Sequence, residues 1–208
     1  MDIISTKDLR FKKGITYPDI CIHEFEPTFI TGPSGCGKTT LFRLINRSEK
    51  SENGKIFFKG QDIEEIKPLK LRNSILLVGQ EPFLFEGSIK ENFHIFYNYR
   101  EMTPPDDENI LELMKLAMLD TSIDTSCSIL SGGQKQRVFI IIFLSFIPEV
   151  ILLDEPSSAL DGSTAKSFIE NILKFTAQKK ITPIIISHSD ELVDKFSQNT
   201  IKLGRCDR

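Results

Sequence analysis

The chain has 208 residues, 40% hydrophobic and 26% charged, with a formal net charge of −3. This length suits one core, or one core with a sizeable insertion, and the slightly acidic balance gives no electrostatic basis for non-specific nucleic-acid binding. The four cysteines, Cys21, Cys36, Cys127 and Cys206, are widely scattered and include no C-x-x-C pair; that argues against a zinc site and a disulfide framework and fits a reducing cytosol.

Taken in chain order, "MDIISTKDLRFKKG" is broken by charge every few residues and has no apolar h-region, so no secretory signal is expected. "ICIHEF" (20–25) alternates as a half-buried strand does, and "TFIT" and "KIFFKG" read similarly. The short apolar strand at Phe29 to Thr31 runs straight into "GPSGCGKTT", and the helical spacing of "LFRLINR" follows. "ILLVG" is a further apolar strand, with Gln80 after it. From Glu81, "SIKENFHIFYNYR" and "PPDDENILELMKLAML" predict helices on either side of the break at Pro104-Pro105. "VFIIIFLSFI" (138–147) stops at Pro148 and is too short for a bilayer, which needs about 20 apolar residues in a helix; it predicts a buried core helix. "VILLD" (150–154) has the fully apolar pattern of a central parallel strand. A helix over about Ser163 to Gln178 and a buried strand "PIIIS" (183–187) complete the pattern. Strands alternating with helices at both ends predict an α/β core, with a mainly helical insertion at roughly 81–145.

Gly32-Pro33-Ser34-Gly35-Cys36-Gly37-Lys38-Thr39 fits G-x-x-x-x-G-K-[ST] between a strand and a helix, the context this motif requires. The glycines let backbone N–H groups point at phosphates, Lys38 neutralises the β- and γ-phosphates, and the Thr39 hydroxyl ligates Mg²⁺. Asp154 places a carboxylate at the C-terminal edge of a parallel strand, where α/β sheets bind ligands and where it can hold Mg²⁺. Glu155 faces elsewhere and is the candidate general base for an attacking water. His188 ends a strand expected beside that of Asp154 and is a candidate γ-phosphate contact. Gln80 is a neutral candidate ligand of Mg²⁺ or of water. Read alone, a histidine at a strand end is more often structural and a glutamine after a strand means little, so His188 and Gln80 gain their roles only from this context; His23 and His94 are read as structural.

The P-loop, "LVGQEP", "LSGGQKQR", "LLDEPSSALD" and "ISHS", in this order, resemble the nucleotide-binding subunit of ABC transporters over essentially the whole chain. The resemblance implies a P-loop NTPase (RecA-like) core with a parallel sheet, an N-terminal antiparallel β region and a helical signature-bearing subdomain: one domain over 1–208, with 1–80 and 146–208 as α/β core and 81–145 as helical subdomain. It implies Lys38, Gln80, Glu155 and His188 as catalytic, Thr39, Gln80 and Asp154 as metal ligands, and Thr40 as the last member of the P-loop set. Asp161 becomes a dimer-communication residue. Ser131, Gly132, Gly133 and Gln134 become a signature loop, ahead of a helix beginning near Lys135, that closes on the γ-phosphate of ATP held by another subunit.

ATP and Mg²⁺ are the implied cofactors. The implied partners are a second copy, head to tail on ATP, and a separate integral membrane permease, with no nucleic acid. The implied place is cytoplasmic, peripheral on the inner face of the cell membrane. Residues 81–100 are expected to contact the permease, or else Phe83, Leu84 and Phe85 pack within the helical insertion. Three features depart from the family. The position aligning with the adenine-stacking aromatic is Lys13, leaving Phe11 or Tyr17 as substitutes. The helix after the signature is bulkier, and the N-terminal β region is shorter. A soluble ABC ATPase of the DNA-repair or translation type is the alternative, but it carries a long coiled coil or tandem cassettes, and this sequence has neither. "ITGPSGCGKTTL" and "LFEGSIKENF" look similar to the small ATPases of the bacterial iron-export type, which leans the reading to export of metal or a small solute.

Overall fold

The computed structural model describes residues 1–12 and 14–204, so the Lys13 position and Cys206 lie outside the described residues. The elements, in order, are β1 (Asp2–Phe11), β2 (Ile15–Thr16), β3 (Cys21–His23), β4 (Thr28–Thr31), α1 (Lys38–Ile45), β5 (Asn53–Phe58), β6 (Gln61–Asp62), α2 (Pro68–Ser74), β7 (Ile75–Val78), α3 (Ile89–Tyr99), α4 (Asp107–Leu116), α5 (Gly132–Ser145), β8 (Val150–Asp154), α6 (Gly162–Lys179), β9 (Thr182–Ile186), α7 (Asp190–Phe196) and β10 (Asn199–Lys202).

Two sheets form. One runs β2-β1-β5-β6 with β3 on β1, and its pairings are antiparallel. The other runs β10-β4-β9-β8-β7, with β10–β4, β4–β9 and β9–β8 parallel. Every residue of β8 and β9 is buried, which is why both read as continuous apolar runs.

The chain divides into two compact units. The first comprises 1–77, 148–155 and 175 onward; the second comprises 78–147 and 156–174. In the first unit one core joins Ile4 and Ile22 of the antiparallel sheet to Leu41 and Phe42 of α1 and to Leu152 and Ile184 of the parallel sheet.

The second unit is built from α3, α4 and α5 with most of α6, up to Lys174. Its helices begin on strong caps: Ser88 with Glu91 and Ser131 with Gln134 form capping boxes, and Asp106 accepts from the Asn109 N–H. The bulk after the signature packs as an aromatic cluster: the Phe139 and Phe143 rings lie 4.7 Å apart, Phe96 reaches Phe143 at 5.7 Å, and Tyr97 meets Phe146 at 4.7 Å. Arg137 donates from Nη1 to the Ala117 and Met118 carbonyls at 2.7 and 2.8 Å. It thereby satisfies orphan acceptors where α4 ends on a left-handed Met118.

Candidate nucleotide site

In the first unit, three functional segments leave the C-terminal ends of parallel strands, the edge at which such sheets bind ligands. The P-loop follows β4, Asp154 ends β8, and His188 lies two residues past β9. β9 pairs with both β4 and β8, so His188 does leave a strand adjacent to that of Asp154.

The loop from Gly32 to Gly37 turns on left-handed glycines, with φ of 149° at Gly32, 78° at Gly35 and 93° at Gly37. At two of them space is also closed. A Cβ on Gly32 would lie 2.6 Å from the Leu203 carbonyl, and one on Gly37 would lie 2.8 Å from the Tyr17 hydroxyl. Pro33, Ser34 and Gly35 are exposed, while Cys36 is buried as a small apolar anchor beneath them. Gly37 caps α1 without a side chain, leaving the helix N-terminus bare for an anion; Thr40 lies in that first turn, half-buried. Lys38 is buried, and its Nζ donates to the Gly32 and Pro33 carbonyls at 2.9 and 3.1 Å. The ammonium is thus held in the loop, by acceptors that phosphate oxygens can replace.

Thr39 donates its hydroxyl to Asp154 Oδ2 at 2.7 Å. Burial pushes the Asp154 carboxyl above the ordinary aspartate range, against the opposing Thr39 hydrogen bond. A hydroxyl and a carboxylate side by side are hard oxygen donors, the set that fits Mg²⁺ alongside substrate phosphates and water. Glu155 adopts a left-handed backbone with φ of 51°, and its N–H is fixed to the Ile186 carbonyl at 3.1 Å. A non-glycine residue there is strained, and such strain concentrates at functional positions. The turn presents Oε1 at 3.0 Å from His188 Nε2. Lys38, Thr39, Asp154, Glu155 and His188 therefore form one constellation of a cation, a hydroxyl, two carboxylates and an imidazole.

The two aromatic candidates for the adenine contact differ. Tyr17 is buried, with its hydroxyl donating to the Gly37 carbonyl at 3.0 Å; it is a floor under the P-loop and offers no face for stacking. Phe11, at the end of β1, is only partly buried. The support that Tyr17 gives to Gly37 has no sequence signal, because it depends on the β1–β2 turn folding back 20 residues before the loop.

The remaining candidates belong to the second unit. Gln80 is exposed just past β7. α5 begins at Gly132 rather than near Lys135, because Ser131 caps it: Ser131 Oγ accepts from the Gln134 N–H at 3.3 Å, and the Ser131 N–H donates to Gln134 Oε1 at 2.9 Å. S-x-x-Q was visible as a helix start, but two glycines masked it. The glycines differ. A Cβ on Gly133 would meet Leu160 Cδ2 at 2.9 Å and the Ala159 carbonyl at 3.0 Å, whereas nothing lies within 4 Å of one on Gly132. Asp161 stands at the head of α6 and accepts from the Ser163 and Thr164 N–H groups at 3.2 and 3.0 Å and from Ser163 Oγ at 2.7 Å. These bonds, led by that from Thr164, hold its carboxyl far below the ordinary range.

A phosphate-binding loop after one parallel strand, and an acidic pair closing the second strand over, define a P-loop nucleoside-triphosphatase. Comparison with known proteins narrows the class. The sequence profile of the ABC transporter family matches residues 16–158. ABC transporter I family member 17 of Arabidopsis thaliana is 36% identical over 90% of this chain and 70% of its own length. The probable iron export ATP-binding protein FetA of Escherichia coli is 32% identical over 79% and 73%. Multidrug resistance protein 1 of Entamoeba histolytica is 38% identical over 89% of this chain, which spans only 14% of that protein. Among solved structures, cbiO1 of Clostridium perfringens, described as part of the ABC transporter complex cbiONQ, superposes with a TM-score of 0.84 at 28% identity, over 97% of this chain and 84% of that one. The chain belongs to the ABC transporter family, as its ATP-binding domain, the ATPase that is coupled to transport.

Proposed function

We propose that this chain is a single ABC ATPase domain which dimerises head to tail on ATP and drives a separate membrane permease from the cytoplasmic face. No helix among the described residues is long and apolar enough to cross a membrane, so the transport path is assigned to the permease. The observation that carries the catalytic reading is the pairing of Thr39 with Asp154 and of Glu155 with His188 beside one P-loop. ATP is held by the loop N–H groups and Lys38. Thr39 and Asp154 would hold Mg²⁺, which would supply charge neutralisation on the phosphates. Glu155 takes the proton of the attacking water. His188, with Nε2 at 3.0 Å from Oε1, orients that carboxylate.

The second anion device has a different client. Ser131 to Gln134 form the first turn of a helix whose Gly132 carries no covering atoms. Such a turn suits a phosphate oxygen, and in this reading that oxygen belongs to ATP on the partner's P-loop, with Asp161 next to the shared site. The face toward the permease is the aromatic edge of the second unit. Phe83 and Tyr99 are 59% and 74% exposed, while Phe85 stacks on Tyr99 and leans on Phe96; exposed aromatics of this kind mark a docking patch. Relatives at similar identity include phosphate import ATP-binding proteins, for example one of Enterococcus faecalis at 35% over 96% of this chain. Export of metal or a small solute therefore rests on "LFEGSIKENF" and on the likeness to the iron export ATP-binding protein. The test of the dimeric ATPase is Glu155→Gln: it should bind ATP, lose turnover and sediment as a dimer only when ATP is present. A variant that still hydrolyses ATP, or stays monomeric in saturating ATP, overturns the reading.

A further inference from the structure

We propose that Asp2, Cys21 and His23 form a binding site for a borderline-soft divalent metal of the zinc type, separate from the nucleotide site. Spaced far apart in sequence terms, the cysteines argued against zinc; folding changes the arithmetic. β3 is three residues long, and its central Ile22 is fully buried, so Cys21 and His23 emerge together on the solvent face. β1 runs antiparallel beside it and places Asp2 directly opposite His23. One ligand atom from each residue, sulfur, nitrogen and carboxylate oxygen, lies within 4.8 Å of the others. His23 Nδ1 already sits 2.8 Å from Asp2 Oδ1. Tetrahedral zinc takes these three donors at about 2.0–2.3 Å, so modest rotations of three exposed side chains bring them onto one ion.

The backbone beneath is fixed, as a binding site requires. The Cys21 carbonyl accepts from Asn199 Nδ2 at 3.2 Å, the Glu24 N–H donates to the Met1 carbonyl at 2.9 Å, and the Phe25 N–H donates to Thr182 Oγ1 at 3.0 Å. Binding releases the thiol proton and forms one metal–sulfur, one metal–nitrogen and one metal–oxygen bond, with water in the fourth position. Thiolate and imidazole select zinc-like ions over Mg²⁺, whereas Thr39 and Asp154 offer oxygen only. The bound ion would also clip the short β3 to β1.

The experiment titrates the nucleotide-free protein with Co²⁺ in excess Mg²⁺ and follows the near-ultraviolet thiolate-to-cobalt band, then displaces the Co²⁺ with Zn²⁺. The expected result is a band saturating at one Co²⁺ per chain, lost in Cys21→Ser and retained in Cys206→Ser. His23→Ala and Asp2→Asn should weaken Zn²⁺ binding about tenfold or more, with Mg²⁺-dependent ATP hydrolysis unchanged in all four. No band in the parent protein, a band that survives Cys21→Ser, or unaltered affinity in His23→Ala would overturn the proposal.

Discussion

The paired glycines of the signature turn should separate cleanly on substitution by alanine. At Gly133 the added methyl would sit 3.0 Å from the Ala159 carbonyl and 2.9 Å from Leu160 Cδ2. The leucine tip can rotate away; the backbone oxygen cannot, so α5 or the turn before α6 must shift. Overpacking of this kind costs about 1–3 kcal/mol, and a domain of this size loses roughly 2–4 °C of melting temperature per kcal/mol. At Gly132 nothing lies within 4 Å and the backbone is already helical, so alanine should be neutral or stabilising by up to about 1 kcal/mol. Activity should not follow stability. Gly132→Ala puts a methyl group where a phosphate is to approach, and should depress ATP turnover in a protein as stable as the parent. Urea unfolding monitored by circular dichroism, with ATPase rates on the same samples, reads both. Equal stability losses at the two positions, or a fully active Gly132→Ala protein, would refute the division of labour.

Three further outcomes are expected. Asp154→Asn should be more stable than the parent without nucleotide at neutral pH: burial raises the native carboxyl above its unfolded value, so the parent loses stability as pH rises through that value. The gap should close as pH falls below the unfolded aspartate range, about 4, and a thermal-melt series across pH 4–8 would show it, with a parent more stable at pH 8 contradicting the sign. Tyr17→Phe removes the hydroxyl that holds the Gly37 carbonyl, which should cost about 0.5–1.5 kcal/mol and weaken ATP binding, both measurable in a ligand-dependent thermal shift. Phe83→Ser with Tyr99→Ser should leave nucleotide-site geometry and basal ATP hydrolysis intact while weakening co-purification with the permease.

The parts of the fold that were legible are those whose signal is local. "VILLD" and "PIIIS" are apolar runs of the kind a doubly covered strand carries; the first is β8, and β9 covers the second with its bounds one residue earlier, at Thr182–Ile186. The P-loop spacing brought its own strand and helix with it. The acidic pair was readable because Asp154 ends β8 and Glu155 follows it directly. The parts that were not legible depend on long-range pairing or on a conflict between local rules. "PLKLRNS" folds as α2 behind a proline at its first turn, a start signal hidden inside a strand-rich stretch. α7 was likewise unmarked, its seven residues being too few to show a period. The Tyr17 support of the P-loop and the meeting of Asp2 with Cys21 and His23 arise only once β1 has found β2 and β3. Asp161 shows that a readable residue can carry a role that is not read: the cap of α6 accounts for its hydrogen bonds inside one chain.

In the proposed dimer one copy of this chain is half of an ATPase, with Lys38 acting on its own nucleotide and Ser131 on its partner's. Lys38→Ala and Ser131→Arg proteins should each be inactive alone. Mixed in ATP, their heterodimer contains one P-loop with Lys38 facing one turn with Ser131, so hydrolysis should return, in proportion to the heterodimer isolated through two different affinity tags. An isolated heterodimer without activity, or a Ser131→Arg protein that hydrolyses ATP at the parent rate by itself, would contradict the shared site.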